Sequence, residues 1–167
     1  MIPRFRAWNK ATKEIYGAED IIAINFEEKE ICVQTIYFEQ GLPDSRDLDY
    51  YDFDDIVLMQ STGMRDKNDR EIFEGDILKF NDEWNDYCYE GYIDGSIEGI
   101  NYVEVERETT CFSFGETKIS DSSLFHLIND EHLSFKELIE DEGFEFEIIG
   151  NIWEDGELLD VENEVSS

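Results

Sequence analysis

Between residues 31 and 38 the chain reads Ile-Cys-Val-Gln-Thr-Ile-Tyr-Phe. This run of β-branched and aromatic side chains fits a pleated strand with at least one buried face and carries no helical period. Similar short runs recur at residues 4–8, 21–26, 56–60, 77–80, 87–93, 102–106, 110–114 and 144–149. The last alternates: Phe144, Phe146 and Ile148 share one face, Glu145 and Glu147 the other. Residues 27–29 read as a hairpin tip, and turn formers cluster at 41–44, 81–82, 95–96 and 154–156. Helix is confined to two places. Ser134 with Glu137 forms a capping-box signature ahead of Phe135, Leu138 and Ile139, and Gly143 is the expected left-handed stop. A weaker helical segment covers residues 122–128. The pattern predicts an all-β or β-dominated α+β fold, with a small barrel-like (SH3-like) sheet and one or two short helices.

Charge decides what such a fold can bind. Against 13 Lys and Arg stand 43 Asp and Glu, a formal net charge of −30, yet 3 Trp, 8 Tyr and 12 Phe spread along the chain exclude a disordered polyacid. An acid-coated domain repels phosphate and anionic lipid, so neither direct nucleic-acid binding nor membrane binding is expected, and basic partners are favoured. The opening residues lack the apolar segment of a secretory signal, which predicts residence in the cytoplasm of a bacterial host. Cys32, Cys88 and Cys111 are odd in number and widely spaced, and read as buried free thiols.

Three segments carry a resemblance. They are Arg4-Phe5-Arg6-Ala7-Trp8, the block from Met59-Gln60 through Thr62-Gly63, Asp66-Lys67-Asn68 and Glu74-Gly75-Asp76-Ile77, and Ile149-Gly150-Asn151-Ile152-Trp153-Glu154. In order and spacing the chain resembles the YopX family of small phage and prophage proteins. The resemblance implies a β-rich fold and phage ancestry, and brings no established reaction, cofactor or partner. Three positions depart from the family pattern: Asp69 stands where Gly is usual, Ser61 where an aromatic is common, and Gly156 where Pro is common. Asp69 therefore has to occupy a position that favours positive φ, which Asp tolerates better than most residues. The acidic surplus lies almost wholly outside these segments, mainly in residues 44–55, 81–108 and 130–147.

Residues 66–69 read as a hairpin turn whose Asx side chains bond their own backbone, and Glu74-Gly75-Asp76 as a tight turn leading into a barrel strand. A calcium loop starting at Asp66 fails, because Arg70 is no ligand, Glu71 stands where Gly is needed, and Ile77 where Glu is needed. His126 and His132 lack the spacing of a zinc site. No nucleophile elbow, phosphate loop or dinucleotide fingerprint occurs. No cofactor or metal is assigned.

The favoured reading is a YopX-like phage accessory module that is not an enzyme and binds a phage or host protein. Its candidate interaction residues are Arg4, Arg6, Trp8, Thr62, Asp66, Glu74 and Asn151. One alternative is an acidic DNA mimic that inhibits a DNA-processing enzyme, with Asp47, Asp49, Asp52 and Asp54 as its ridge. Another is a carboxylate-dependent enzyme using Asp66, Glu74 and Asp76. Residues 1–159 are expected to form one domain, alternatively a β core over 1–115 and a helix–strand lobe over 116–159, with 160–167 as a flexible tail. Trp8 and Trp153 are expected to lie buried near each other, with the opening and closing strands in one sheet. Crowded carboxylates are expected to have raised pKa values, so that stability increases as pH falls from 7 toward about 5.

Overall fold

Where apolar residues recur at every second position, the backbone finds its hydrogen bonds in neighbouring strands and each strand buries one face. The computed structural model describes residues 2–120, 122–130 and 133–160. It divides into two compact units, Met1–Ser61 and Thr62–Ser167. The boundary falls inside a strand, and the two helices pack against the sheet of the second unit. Apart from Asp160, the tail assigned to 160–167 lies outside the described residues.

The first unit contains β1 (Phe5–Asn9), β2 (Ile15–Tyr16), β3 (Ile21–Asn25), β4 (Glu30–Glu39), β5 (Leu42–Asp52) and the start of β6 (Ile56–Arg65). β1 lies between β2 and β6, with Ala7 opposite both Tyr16 and Leu58. The remaining strands form an antiparallel sheet in the order β3-β4-β5. Ala7, Ile31, Val33 and Ile56 form the core, with Tyr16, Ile21, Tyr51 and Leu58 packed against it. Gln40 and Gly41, at φ 50° and 79°, make the two-residue connection between β4 and β5, so the turn is tighter than the stretch over 41–44 suggested. β5 itself carries no recognisable strand signal, since Asp and Pro are poor strand residues. Long-range pairing with β4 imposes it.

The second unit holds the end of β6, β7 (Glu71–Phe73), β8 (Asp76–Tyr87), β9 (Ile93–Arg107), β10 (Phe112–Thr117), α1 (Ser123–Asp130), α2 (Phe135–Glu140) and β11 (Glu147–Asn151). A 3-10 turn follows at Gly156–Leu159. The principal sheet is antiparallel in the order β10-β9-β8-β11. Its core gathers Ile72, Leu78, Phe80, Val103, Val105, Leu124 and Leu138. Phe146 is the hub, with ring centroids 5.1 Å from Phe80, 5.3 Å from Phe114 and 5.4 Å from Phe144. The expected β-dominated fold, with curled antiparallel sheets and two short helices, is what the chain adopts.

Several local expectations change. Residues 88–92 form a tight turn, with the Cys88 amide donating to the Tyr92 carbonyl, instead of continuing a strand over 87–93. Residues 81–82 and 95–96, rich in turn formers, sit inside β8 and β9. Gly99 in β9 is explained by packing: a Cβ there would come within 2.5 Å of the Trp84 ring. β11 begins only at Glu147, because Glu145 takes φ 49°, but Phe144 and Phe146 are buried and Ile148 packs on the core as the alternation predicts. α2 has its capping box, with the Ser134 amide donating to Glu137 at 2.8 Å. Its end is set not by Gly143 but by Asp141, whose Oδ1 accepts the Gly143 amide at 2.8 Å. Trp8 is buried, but Trp153 is 41% exposed. β1 pairs with β2 and β6, and β11 with β8, so the opening and closing strands do not pair in one sheet as expected. Of the three free thiols Cys32 is buried, Cys88 half-buried and Cys111 exposed, which corrects the reading of all three as buried.

Truncating the ring at the centre of this core should be costly. Phe80→Ala is expected to lower stability by about 3–5 kcal/mol, read as a shift in denaturant midpoint at unchanged slope.

Candidate functional site

The polar residues of the central motif converge on one buried carboxylate. Asp66 ends the β6 arm of a hairpin closed by its amide donating to the Arg70 carbonyl at 2.9 Å. Its Oδ1 accepts the amides of Asn68 and Arg70, each at 2.9 Å, which is the Asx turn that the sequence suggests. Its Oδ2 accepts the Ile148 amide at 2.9 Å from β11, far along the chain, and faces Arg70 Nε at 3.5 Å. Arg70 Nη2 in turn donates to the Ile148 carbonyl. Lys67 donates its amide to the Phe146 carbonyl, and Asn68 Nδ2 donates to Glu147. Asp69 holds φ 64°, so the turn survives the departure from Gly.

A second knot lies where β8 meets β11. Gly75 at φ 83° turns the chain so that Asp76 Oδ2 accepts the Phe73 amide at 2.8 Å. The Gly75 carbonyl receives the Ile152 amide, and Asp76 pairs across the ladder with Asn151. Asn151 Oδ1 accepts the amides of Trp153 and Glu154, both at 3.0 Å. Glu74 pairs with Arg107 at 3.7 Å. Thr62 Oγ1 donates to the Ile72 carbonyl at 2.8 Å and accepts the Met64 amide. In the first unit Arg4, Arg6 and Trp8 lie on or beside β1, with the Arg4 carbonyl accepting the Ser61 amide. Of the seven candidate residues the structure thus brings Glu74 and Asn151 to one junction. It places Asp66 and Thr62 at two ends of the β6–β7 hairpin.

A family model described as YopX protein matches residues 4–160. The chain belongs to the YopX family. The crystal structure of protein EF1440 from Enterococcus faecalis is similar, with 25% sequence identity, a TM-score of 0.55, and coverage of 96% of this chain and 99% of that one. No curated protein matches it in sequence. The YopX motif residues in the second unit are thus, in this chain, the residues that tie β6, β7 and β8 to β11.

Strand alternation separates the four residues of the candidate acidic ridge. On β5, Asp47 and Asp49 share a face with Tyr51, and Asp52 points to the opposite face with Tyr50. Asp54 lies in a 3-10 turn beyond the strand. The four carboxylates are thus spread over two strand faces and a turn.

Electrostatics vary by site. Lys79 at 3.0 Å and Lys67 at 3.3 Å hold the Glu147 carboxyl below its ordinary value, and hydrogen bonds from Ser134 do the same for Glu137. Burial, and then the neighbouring Glu106, push Glu104 up. The rise at Glu104 thus comes first from burial and only second from a neighbouring carboxylate, and Glu147 and Glu137, where cations or donors are at hand, move the other way from the rise expected of crowding. Burial and the hydroxyl of Tyr51, 3.2 Å away, raise Tyr16.

These directions fix opposite pH signatures. Glu104 has a folded pKa above the unfolded value of 4.5, so its ionised form weakens the fold at neutral pH and the deficit is relieved as pH falls through the folded pKa. Glu147 has a folded pKa below it, so its contribution is full above the unfolded value and is lost as pH falls through the folded pKa. Glu104→Gln should therefore melt higher than wild type at pH 7 and Glu147→Gln lower. Both differences should shrink toward zero on acidification below about pH 4, followed by melting temperature against pH.

Proposed function

We propose that the protein is a non-enzymatic, protein-binding module, encoded by a phage or prophage and acting in the cytoplasm of the bacterial host. Its contact surface for a phage or host protein is the far end of the β8–β9 ribbon. The supporting observation is the turn joining those strands, where Tyr87, Tyr89, Tyr92 and Ile93 are all exposed. Among the described residues β10 pairs with β9 only over residues 103–107 and β11 with β8 only over residues 76–79, and beyond the isolated bridge of Trp84 with Ser122 no strand pairs with the outer end of the ribbon. Tyrosines clustered at a turn, apolar in body and polar at the tip, are what a protein interface uses as anchors.

The competing readings have less support. In the enzyme reading the reacting carboxylates would be Asp66, Glu74 and Asp76, and these carry the backbone bonds and ion pair that hold the β-strands together. Among the described residues no group of three His, Cys, Asp or Glu is placed to hold a metal. The DNA-mimic reading loses its best local ridge to strand alternation.

Replacing Tyr89, Tyr92 and Ile93 together by Ser tests the assignment. Tagged wild-type protein should retain a partner from infected host cells at moderate salt, and the triple variant should retain at least about tenfold less, with unchanged melting. Equal retention by the triple variant would remove the ribbon from the account.

A further inference from the structure

In the first unit, strand alternation sorts the side chains of β4 and β5 by chemistry. Residues 46, 48 and 50 of β5 pair with residues 36, 34 and 32 of β4 and share one face of the ribbon with Phe38, whereas Asp47 and Asp49 lie on the other face with Tyr51. The first face therefore presents Gln34, Ile36, Phe38, Leu48 and Tyr50, and from Cys32 to Phe38 and Tyr50 back to Arg46 its one charge is Arg46. Phe38 is 64% and Tyr50 63% exposed, and Ile36 and Leu48 are exposed beside them. Arg46 donates to Gln34 Oε1 at 3.3 Å, and among the described residues no ion pair reaches it. At the base of the same face Glu30 and Asp52 stand opposite each other across the ladder. A chain of formal net charge −30 thus keeps one apolar strip free of carboxylates, and a contiguous exposed strip of this kind marks a protein contact.

We propose that this face docks on the same face of a second copy of the chain, about a two-fold axis that lies in the interface and crosses β5 at the level of Asp49. That rotation lays β5 antiparallel over β5, so that Arg46 meets Asp52 of the second copy and Leu48 meets its Tyr50. Six residues separate Arg46 from Asp52, about 20 Å of strand, and the two ion pairs therefore bracket the apolar strip. Charge complementarity selects the occupant. A cation toward the hairpin turn and carboxylates at the base make the face complementary to itself under a two-fold rotation, which is what an isologous dimer contact requires. A basic partner surface would be opposed by Arg46, and an uncharged one would leave it without a counter-ion. The net charge opposes any dimer, but the strands turn Asp47 and Asp49 away from the contact and salt screens the rest, so association should strengthen from low to moderate salt. Two strands make a small interface, and the dimer is expected to be weak, forming in the micromolar range or above. The proposal uses no residue of the β8–β9 ribbon and stands apart from the reading given to that turn.

The test is sedimentation equilibrium of the full chain at moderate salt. Wild type should pass from monomer to dimer as concentration rises through the micromolar range toward millimolar. Leu48→Ser with Tyr50→Ser, both on the exposed face, should weaken the dimer at least about tenfold with monomer melting unchanged. Arg46→Asp and Asp52→Arg should each weaken it about tenfold. Mixing those two variants in equal amounts should restore association toward the wild-type level, because each chain then meets the other with two pairs of opposite charge. An effect confined to one chain gives no such rescue. If the serine variant melts early, the charge-reversal variants and their mixture decide alone. The ribbon-turn variant at Tyr89, Tyr92 and Ile93 should dimerise like wild type whether or not it captures a partner. A wild type that stays monomeric throughout, a dimer indifferent to the Leu48 and Tyr50 substitutions in a folded variant, no restoration on mixing, or loss of the dimer in the ribbon-turn variant would each overturn the proposal.

Discussion

The Asp66 carboxylate is withdrawn from water, and a buried carboxylate persists only where donors surround it. Three backbone amides and a guanidinium do so here. Two of the amides belong to the turn that Asp66 itself starts, while the third, from Ile148, lies on the strand that closes the principal sheet. Satisfying one side chain thus fixes two things together, the shape of the β6–β7 hairpin and the position of β11 beside β8. Hydrogen bonds to an ionised group contribute about 1.5–3 kcal/mol each, so this junction ranks with the aromatic core around Phe146 among the stabilising features of the unit. The Gly75–Asp76 turn and the Asn151 turn repeat the principle where β8 meets the end of β11, again joining a local loop to a distant strand.

Acidity is arranged around these knots rather than through them. The central motif uses Lys67 and Lys79 to hold Glu147, and its few carboxylates are paired or hydrogen-bonded. Much of the surplus falls on the ribbons β4–β5 and β8–β9, and a further part on the stretch over residues 130–147. Long exposed ribbons offer unpaired edges to other chains, and dense like charge discourages such pairing.

The sequence is legible where a feature is local. The Asx turn at Asp66, the capping box at Ser134 and the inward face of Phe144, Phe146 and Ile148 all follow from short spacings. What depends on distant partners is hidden. Nothing near Asp66 announces that its second oxygen meets the Ile148 amide. β5 and the outer parts of β8 and β9 are rich in Asp, Asn, Gly and Ser, which read as loop, and only register with a neighbouring strand makes them extended. Trp8 and Trp153 look equivalent as motif aromatics, yet one is in a core and the other on a turn. Glu104 is indistinguishable from the other acids until the fold half-buries it next to Glu106.

The central claim is that the YopX motif in the second unit is a structural clamp and that recognition lies elsewhere. Native-state amide hydrogen exchange on Asp66→Ala tests it most directly, because the clamp is defined by particular amides. The account predicts a loss of about 3–5 kcal/mol in stability, with exchange at Asn68, Arg70 and Ile148 accelerated beyond the global change. An Asp66→Ala protein that keeps wild-type protection at those three amides, and loses partner capture instead, would contradict it.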